Sequence, residues 1–225
     1  MAIKKVSKAL VLYSGGQDSS TCLAWALKKF TEIELISFDY GQKHKIELKC
    51  AKKIAKELNL KHKILHIDTF KELSANALTH KIEIKEQSKT AGLPNTFVPG
   101  RNLIFLSYAA AYAYGKNIPN LVTGVCQTDY SGYPDCREKT IKALEKSLSL
   151  GMDFPFKIHT PLMRLNKAET VKLIKKLGFF SLLGKTHTCY NGLRPACGKC
   201  PACKLRLKGF KEAGEKDPLE YETSI

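Results

Sequence analysis

Two clusters of residues have types and spacings that could do chemistry. The first is Tyr13-Ser14-Gly15-Gly16-Gln17-Asp18-Ser19-Ser20, set between the apolar run Ala9-Leu10-Val11-Leu12 and the apolar-periodic stretch Thr21-Cys22-Leu23-Ala24-Trp25-Ala26-Leu27. That order reads as buried strand, tight turn, helix. Adjacent glycines let backbone N–H groups converge without Cβ clashes. The hydroxyls of Ser14, Ser19 and Ser20 fall beside the first turn of the helix, where orphan N–H groups and the helix dipole both favour an anion. The turn is therefore suited to phosphate. It is not a Walker loop: no Lys-Ser or Lys-Thr pair follows the glycines, and Asp18 stands where that lysine would be.

The second cluster is Cys189, Cys197, Cys200 and Cys203, spaced C-x7-C-x2-C-x2-C, while the other four of the eight cysteines are scattered. In a reducing compartment such crowding means metal before disulfide. Two overlapping C-x2-C steps make thiolate knuckles, and a fourth thiolate completes the tetrahedron that Zn²⁺ prefers. Four thiolates leave no open coordination position, so the metal is expected to be structural, replacing a core that so short a segment cannot build. An iron–sulfur cluster is the alternative occupant. His187 competes with Cys189 as a ligand only weakly and is expected to be a neutral surface histidine.

The elements that must position these clusters alternate along the chain. Strands are expected at residues 9–12, 33–38, 64–67 and 120–124, with a last one closing at His159-Thr160-Pro161-Leu162. Helices are expected over residues 19–30, 45–58, 102–114, 136–150 and 167–177. Strand and helix joined by short links define an α/β fold: a doubly wound, mainly parallel five-stranded sheet covered on both faces. Residues 68–99 lack periodicity and read as a functional loop or cover. Past Gly184 glycines, prolines and the clustered cysteines take over. Two units are therefore expected: 1–184, an α/β domain that carries the phosphate turn, and 185–225, a small zinc-binding appendix packed on it.

Composition limits what else the chain can be. No apolar run reaches the roughly 20 residues of a membrane span, and the start, Met1-Ala2-Ile3-Lys4-Lys5, leads directly into the first strand, so no membrane association and a cytoplasmic location are expected. The formal charge is +16, but only five of the 37 basic residues are arginines, leaving 32 lysines. Arginine is the fork that reads phosphates and bases. Scattered lysines describe a solvated surface better than a nucleic-acid face, and no stable nucleic-acid partner is expected.

Ser14-Gly15-Gly16-Gln17-Asp18-Ser19 resembles the pyrophosphate loop of the N-type ATP pyrophosphatase superfamily. Four further segments resemble the 7-cyano-7-deazaguanine synthase family of queuosine precursor biosynthesis, in the same order over nearly the whole chain. They are Phe38-Asp39-Tyr40-Gly41-Gln42-Lys43-His44, Val98-Pro99-Gly100-Arg101-Asn102, Asp129-Tyr130-Ser131-Gly132-Tyr133-Pro134-Asp135-Cys136-Arg137, and the four-cysteine segment; the tail, Gly209-Phe210 and Asp217-Pro218, also fits. One departure is His187, where the family usually has tryptophan. The resemblance implies an adenine nucleotide alpha hydrolase-like fold and a carbon–nitrogen ligase that joins 7-carboxy-7-deazaguanine and ammonia, using ATP, Mg²⁺ and Zn²⁺. It implies that residues 13–20 hold ATP, that Asp18 orients the turn or reaches Mg²⁺, and that Arg101 stabilises charge as phosphate leaves. Asn102, Asp129, Tyr130, Tyr133, Asp135 and Arg137 are then expected around the deazapurine, and Cys136 as a nucleophile is a minor reading. A homodimer is compatible with it. Two readings stay open beside it: a tRNA-modifying enzyme of the same superfamily, and a non-catalytic zinc-ribbon module that binds nucleic acid.

Overall fold

The computed structural model describes residues 7–42, 45–69, 97–128 and 133–222. Lys43, His44, Asp129, Tyr130, Ser131, Gly132 and most of the stretch 68–99 lie outside them. Strand β1 (Lys8–Leu12) is followed by helix α1 (Gln17–Lys29), β2 (Glu32–Asp39), α2 (Ile46–Glu57) and β3 (Lys61–His66). After the undescribed segment come α3 (Arg101–Tyr114), β4 (Asn120–Val122), a 3-10 turn at Pro134–Cys136, α4 (Glu138–Gly151) and β5 (Lys157–His159). The chain finishes with α5 (Lys167–Lys176), a 3-10 segment at Phe180–Lys185, and α6 (Pro201–Ala213).

The five strands form one sheet in the order β3-β2-β1-β4-β5, with every pairing parallel. Alternation along β1 sorts the core. Ala9, Val11 and Tyr13 meet Cys22, Leu23 and Ala26 of α1 and Ala51, Ile54 and Ala55 of α2. Leu10 faces the other way, into a core with Leu106, Ala109, Ala110 and Ala113 of α3 and Ile141 and Leu148 of α4. A parallel sheet buried on both faces needs such near-continuous apolar strands. From β1 the chain builds outward through β2 to β3, then returns to lay β4 on the other side of β1. This reversal opens a crevice at the carboxyl ends of β1 and β4, where open α/β sheets bind ligands.

Several boundaries differ from the sequence reading, three of them for a visible reason. β3 begins at Lys61, because Lys61, His62 and Lys63 pair with Glu34, Leu35 and Ile36 although the lysines face solvent. β5 is residues 157–159 and ends at His159, before Pro161, which has no N–H for a ladder. α4 starts at Glu138, after the Pro134–Cys136 turn. α6 was not anticipated; its first residue is Pro201, directly after the third clustered cysteine, where proline is well placed to open a helix.

Candidate active site

The glycine turn sits at the crevice. Gly15 has φ +87, and a Cβ there would lie 2.4 Å from the Glu47 carbonyl oxygen and 2.8 Å from the Ala51 nitrogen. Only glycine meets both the left-handed backbone and the contact with α2. Gly16 caps α1 from an extended backbone. The Ser14 hydroxyl accepts from Gly16 N at 3.2 Å and shares a 3.1 Å hydrogen bond with Ser19 Oγ, which donates to the Gly16 carbonyl. Beneath them the buried Tyr13 hydroxyl shares a 3.1 Å bond with Ser20 Oγ. Tyr13, Gly15, Gly16 and Ser20 are thus the frame, and Ser14, Asp18 and Ser19 line the crevice together with part of Tyr13.

Lys167 is the partner that sequence reading missed. At the start of α5, 149 positions from the turn, its Nζ lies 2.7 Å from Asp18 Oδ2. Asp18 Oδ1 and Gln17 Nε2 are buried yet have no hydrogen-bond partner among the described residues. Native proteins seldom leave such atoms unpaired; Asp18 lines the crevice, where a ligand can bring the missing partner, whereas Gln17 does not line it. The orphaned carboxylate oxygen fits a divalent cation such as Mg²⁺, which takes one or two carboxylates and keeps its remaining positions for water and phosphate.

The crevice is a cavity of about 740 Å³. Its floor is the loop after β1 and Thr123, Gly124 and Val125 after β4. A Cβ on Gly124 would lie 3.4 Å from Ser19 N, so the two strand ends pack closely. One wall carries Arg101, Asn102 and Phe105 of α3. Val98, Pro99 and Gly100 make the sharp entry to that helix: Gly100 has φ +69 and Arg101 N donates back to the Val98 carbonyl at 3.1 Å, the proline-then-glycine pattern of a type II turn. Arg101 lies over the Tyr40 ring, 5.9 Å from its centroid.

The opposite wall comes from the cysteine-rich segment. Thr188, Cys189, Tyr190 and Asn191 line the cavity, with Cys200 and Pro201. His187 corrects the expectation of a surface histidine: it is 2 % exposed, its N–H donates to the Gly15 carbonyl at 3.0 Å, and its Nε2 pairs with the Cys189 carbonyl at 2.9 Å. It holds the glycine turn to the segment without joining the thiols. The sulfurs of Cys189, Cys197, Cys200 and Cys203 all lie within 4.8 Å of one another and are buried. Cys200 N donates to Cys197 Sγ at 3.3 Å, and hydrogen bonds from Cys203 lower the pKa of the Cys200 thiol. A closed set of four sulfurs fits Zn²⁺.

Of the residues expected around a deazapurine, Asn102 and Tyr133 line the cavity, Tyr133 with its ring 5.2 Å from Phe97. Asp135 is 4 % exposed, does not line the cavity, and accepts from Asn102 N at 3.0 Å and Asn102 Nδ2 at 3.1 Å, tying the Pro134–Cys136 turn to the first turn of α3. Arg137 is exposed and lies at a separate shallow cleft with Gln127 and Lys142. Cys136 lines the cavity and Asn102 Nδ2 donates to its sulfur at 3.3 Å. Asp129 and Tyr130 are outside the described residues.

The sheet order and the glycine turn at its switch point define an adenine nucleotide alpha hydrolase-like protein. The fold is similar to that of a 4-thiouridine synthetase solved with RNA and bound ATP, with TM-score 0.54 and 18 % identity over 92 % of this chain and 50 % of that one. It is also similar to the U34-tRNA thiolase NcsA of Methanococcus maripaludis with its [4Fe-4S] cluster, with TM-score 0.51 and 20 % identity over 94 % of this chain and 69 % of that one. Within that class, residues 8–214 match the family model described as queuosine biosynthesis protein QueC, and the chain belongs to this family. Similar relatives named 7-cyano-7-deazaguanine synthase include those of Chromobacterium violaceum, 56 % identical over 94 % of this chain and 92 % of that protein, and Staphylococcus epidermidis, 55 % identical over 91 % and 92 %.

Proposed function

We propose that this chain converts 7-carboxy-7-deazaguanine and ammonia to 7-cyano-7-deazaguanine at the expense of ATP. The observation that carries the reading is the glycine turn at the sheet's switch point, with the unpaired Asp18 Oδ1, opening into a cavity that Asn102, Phe105 and Tyr133 also line. Phosphates have donors in the turn, and a flat heterocycle has aromatic walls in the same cavity.

ATP supplies one thing: a carboxylate or amide oxygen bonded to AMP becomes a leaving group, which neither is on its own. Activation would occur on the acid and then on the amide. The residues do the rest. The Ser14 and Ser19 hydroxyls and the amides at the start of α1 hold phosphate oxygens. Lys167 and Arg101 offset the charge that develops on departing phosphate from two sides, the kind of preorganised stabilisation that supplies much of an enzyme's rate enhancement. Asp18 keeps Lys167 in place and offers its second oxygen to Mg²⁺. Asn102, anchored by Asp135, is left to recognise the base from a fixed position. Cys189, Cys197, Cys200 and Cys203 would hold Zn²⁺, which would fix the cavity wall and, with no open coordination position, leave bond making to the other residues.

The test is direct: the protein is incubated with 7-carboxy-7-deazaguanine, ammonium and MgATP, and separately with bulk tRNA, and products are followed by mass spectrometry. Nitrile and AMP in the first mixture support the reading. Modified tRNA with no nitrile would replace it with a tRNA-modifying activity.

A further inference from the structure

Both bond-forming halves of this reaction release a proton from nitrogen. Ammonium, the main form at neutral pH, has no lone pair and must lose a proton before it attacks. When ammonia displaces AMP from the activated acid, the C–N bond forms, the C–O bond to AMP breaks with its electron pair, and nitrogen sheds a further proton. When the activated amide becomes nitrile, the C–O bond to AMP breaks again and the remaining N–H gives up its proton as the third C–N bond forms. A proton acceptor inside the cavity is therefore required.

The carboxylates and the imidazole at or near the cavity narrow the choice of base. Asp18 is tied to Lys167 through Oδ2, and its Oδ1 is the oxygen assigned above to Mg²⁺. Asp135 and Asp39 do not line the cavity, and their carboxylates are engaged by Asn102 and by Lys45 and His66. The His187 ring is committed to the Cys189 carbonyl. Glu47 remains. It lines the cavity from the first turn of α2, and its carboxylate makes no hydrogen bond or ion pair with any described residue. Its own carbonyl presses on Gly15, and Oε1 lies 3.6 Å from where a Cβ on Gly16 would stand, so the carboxylate points at the phosphate turn.

We propose that Glu47 is the proton acceptor for the attacking nitrogen, in both the amide-forming and the nitrile-forming step. The proposal rests on the nitrile-forming reading above. The groups that face Glu47 are Arg101 of α3, Tyr40 beyond β2, Cys50 of its own helix, and Tyr190 of the cysteine-rich wall. Burial pushes the Glu47 carboxyl up to about 7 against the opposing pull of Arg101. A base poised near the working pH is the effective kind, whereas an ordinary glutamate would hold a proton too weakly.

The experiment compares wild type with Glu47→Gln, following acid-dependent ATP consumption without added nitrogen and nitrile formation with ammonium, across pH. Hydroxylamine, largely uncharged at neutral pH, serves as a second nucleophile. With ammonium near pH 7, Glu47→Gln should lose about 100-fold or more in kcat/KM, the scale of general-base catalysis. Its loss should shrink as rising pH supplies free ammonia and should be smaller for hydroxamate formation. The wild-type acid limb near pH 7 should be absent from the variant. Zinc content and a melting curve report folding, and Glu47→Asp, which keeps a carboxylate one methylene further back, should keep the acid limb at reduced rate. Wild type without nitrile removes the functional reading and this proposal with it. Wild type with nitrile overturns Glu47 alone if Glu47→Gln keeps the wild-type pH profile, if it loses ATP consumption as severely as nitrile, or if Glu47→Asp loses the acid limb.

Discussion

At the scale of single residues, the site depends on pairs that chain order conceals. Asp18 was legible as part of a phosphate turn, but Lys167, which meets it at 2.7 Å, is 149 positions away and stands in a helix already crowded with lysines. No local pattern marks it. Replacing Asp18 by alanine should abolish ATP-dependent turnover, because Lys167 loses its anchor and any Mg²⁺ loses a ligand, while zinc content stays unchanged; normal turnover would sink the phosphate assignment. Glu47 was also unmarked, since the groups that face it, Arg101 of α3 and Tyr190 of the cysteine-rich segment, come from distant parts of the chain. Its carboxyl stands near 7 in the fold against an ordinary 4.5, so the fold disfavours its charged form. That penalty is absent below about 4.5, grows as pH rises from 4.5 to 7, and stays constant above. Glu47→Gln should therefore gain stability over wild type at pH 8, on the order of 1–3 kcal/mol, and not near pH 4.5. Urea melts at the two pH values check the sign, and a variant less stable at pH 8 would refute it.

At the scale of elements, strand and helix periodicity was plain in the sequence because both faces of the sheet are buried and the links are short. What could not be read was how the cysteine-rich segment docks. Arg206 of α6 is 1 % exposed, pairs with both Asp217 oxygens, and donates to Thr186, Thr188 and the Leu183 carbonyl. Tyr221 donates to the same aspartate. A charge buried this way is affordable only when paired and hydrogen-bonded, and the pairing fixes residues 186–188 so that His187 reaches Gly15. One turn further along α6, a Cβ on Gly209 would lie 2.7 Å from Lys167 Cβ, so glycine lets the helix close on the start of α5. The tail motifs were visible as words in the sequence without their purpose, which is to seat one wall of the cavity. The tightest junction is Gly15 against α2. Gly15→Ala meets both a left-handed backbone and a contact of 2.4 Å, and should cost about 2–5 kcal/mol with loss of ATP binding. Thermal melting and calorimetry with ATP measure both; unchanged melting would mean that the turn and helix are not locked together.

At the scale of the whole molecule, the cavity is shared by the sheet and the cysteine-rich segment, and neither encloses it alone. Cys189 and Cys200 are at once sulfurs of the cluster and lining of the cavity, and Tyr190 between them faces Arg101 and Glu47. A metal held by the cluster would thus be coupled to activity through position. Cys200→Ser should lose zinc and soluble yield together, and any protein recovered should show little turnover; a folded, fully active Cys200→Ser variant would show that the cluster is dispensable. Among the described residues no helix is long and apolar enough to cross a membrane. The central claim is that the glycine turn delivers ATP so that AMP carries away the oxygens of the substrate. The most direct measurement uses 7-carboxy-7-deazaguanine with both carboxylate oxygens replaced by ¹⁸O. The account predicts unlabelled nitrile with the heavy oxygens recovered in AMP. Label in inorganic phosphate or water, with none in AMP, would contradict it.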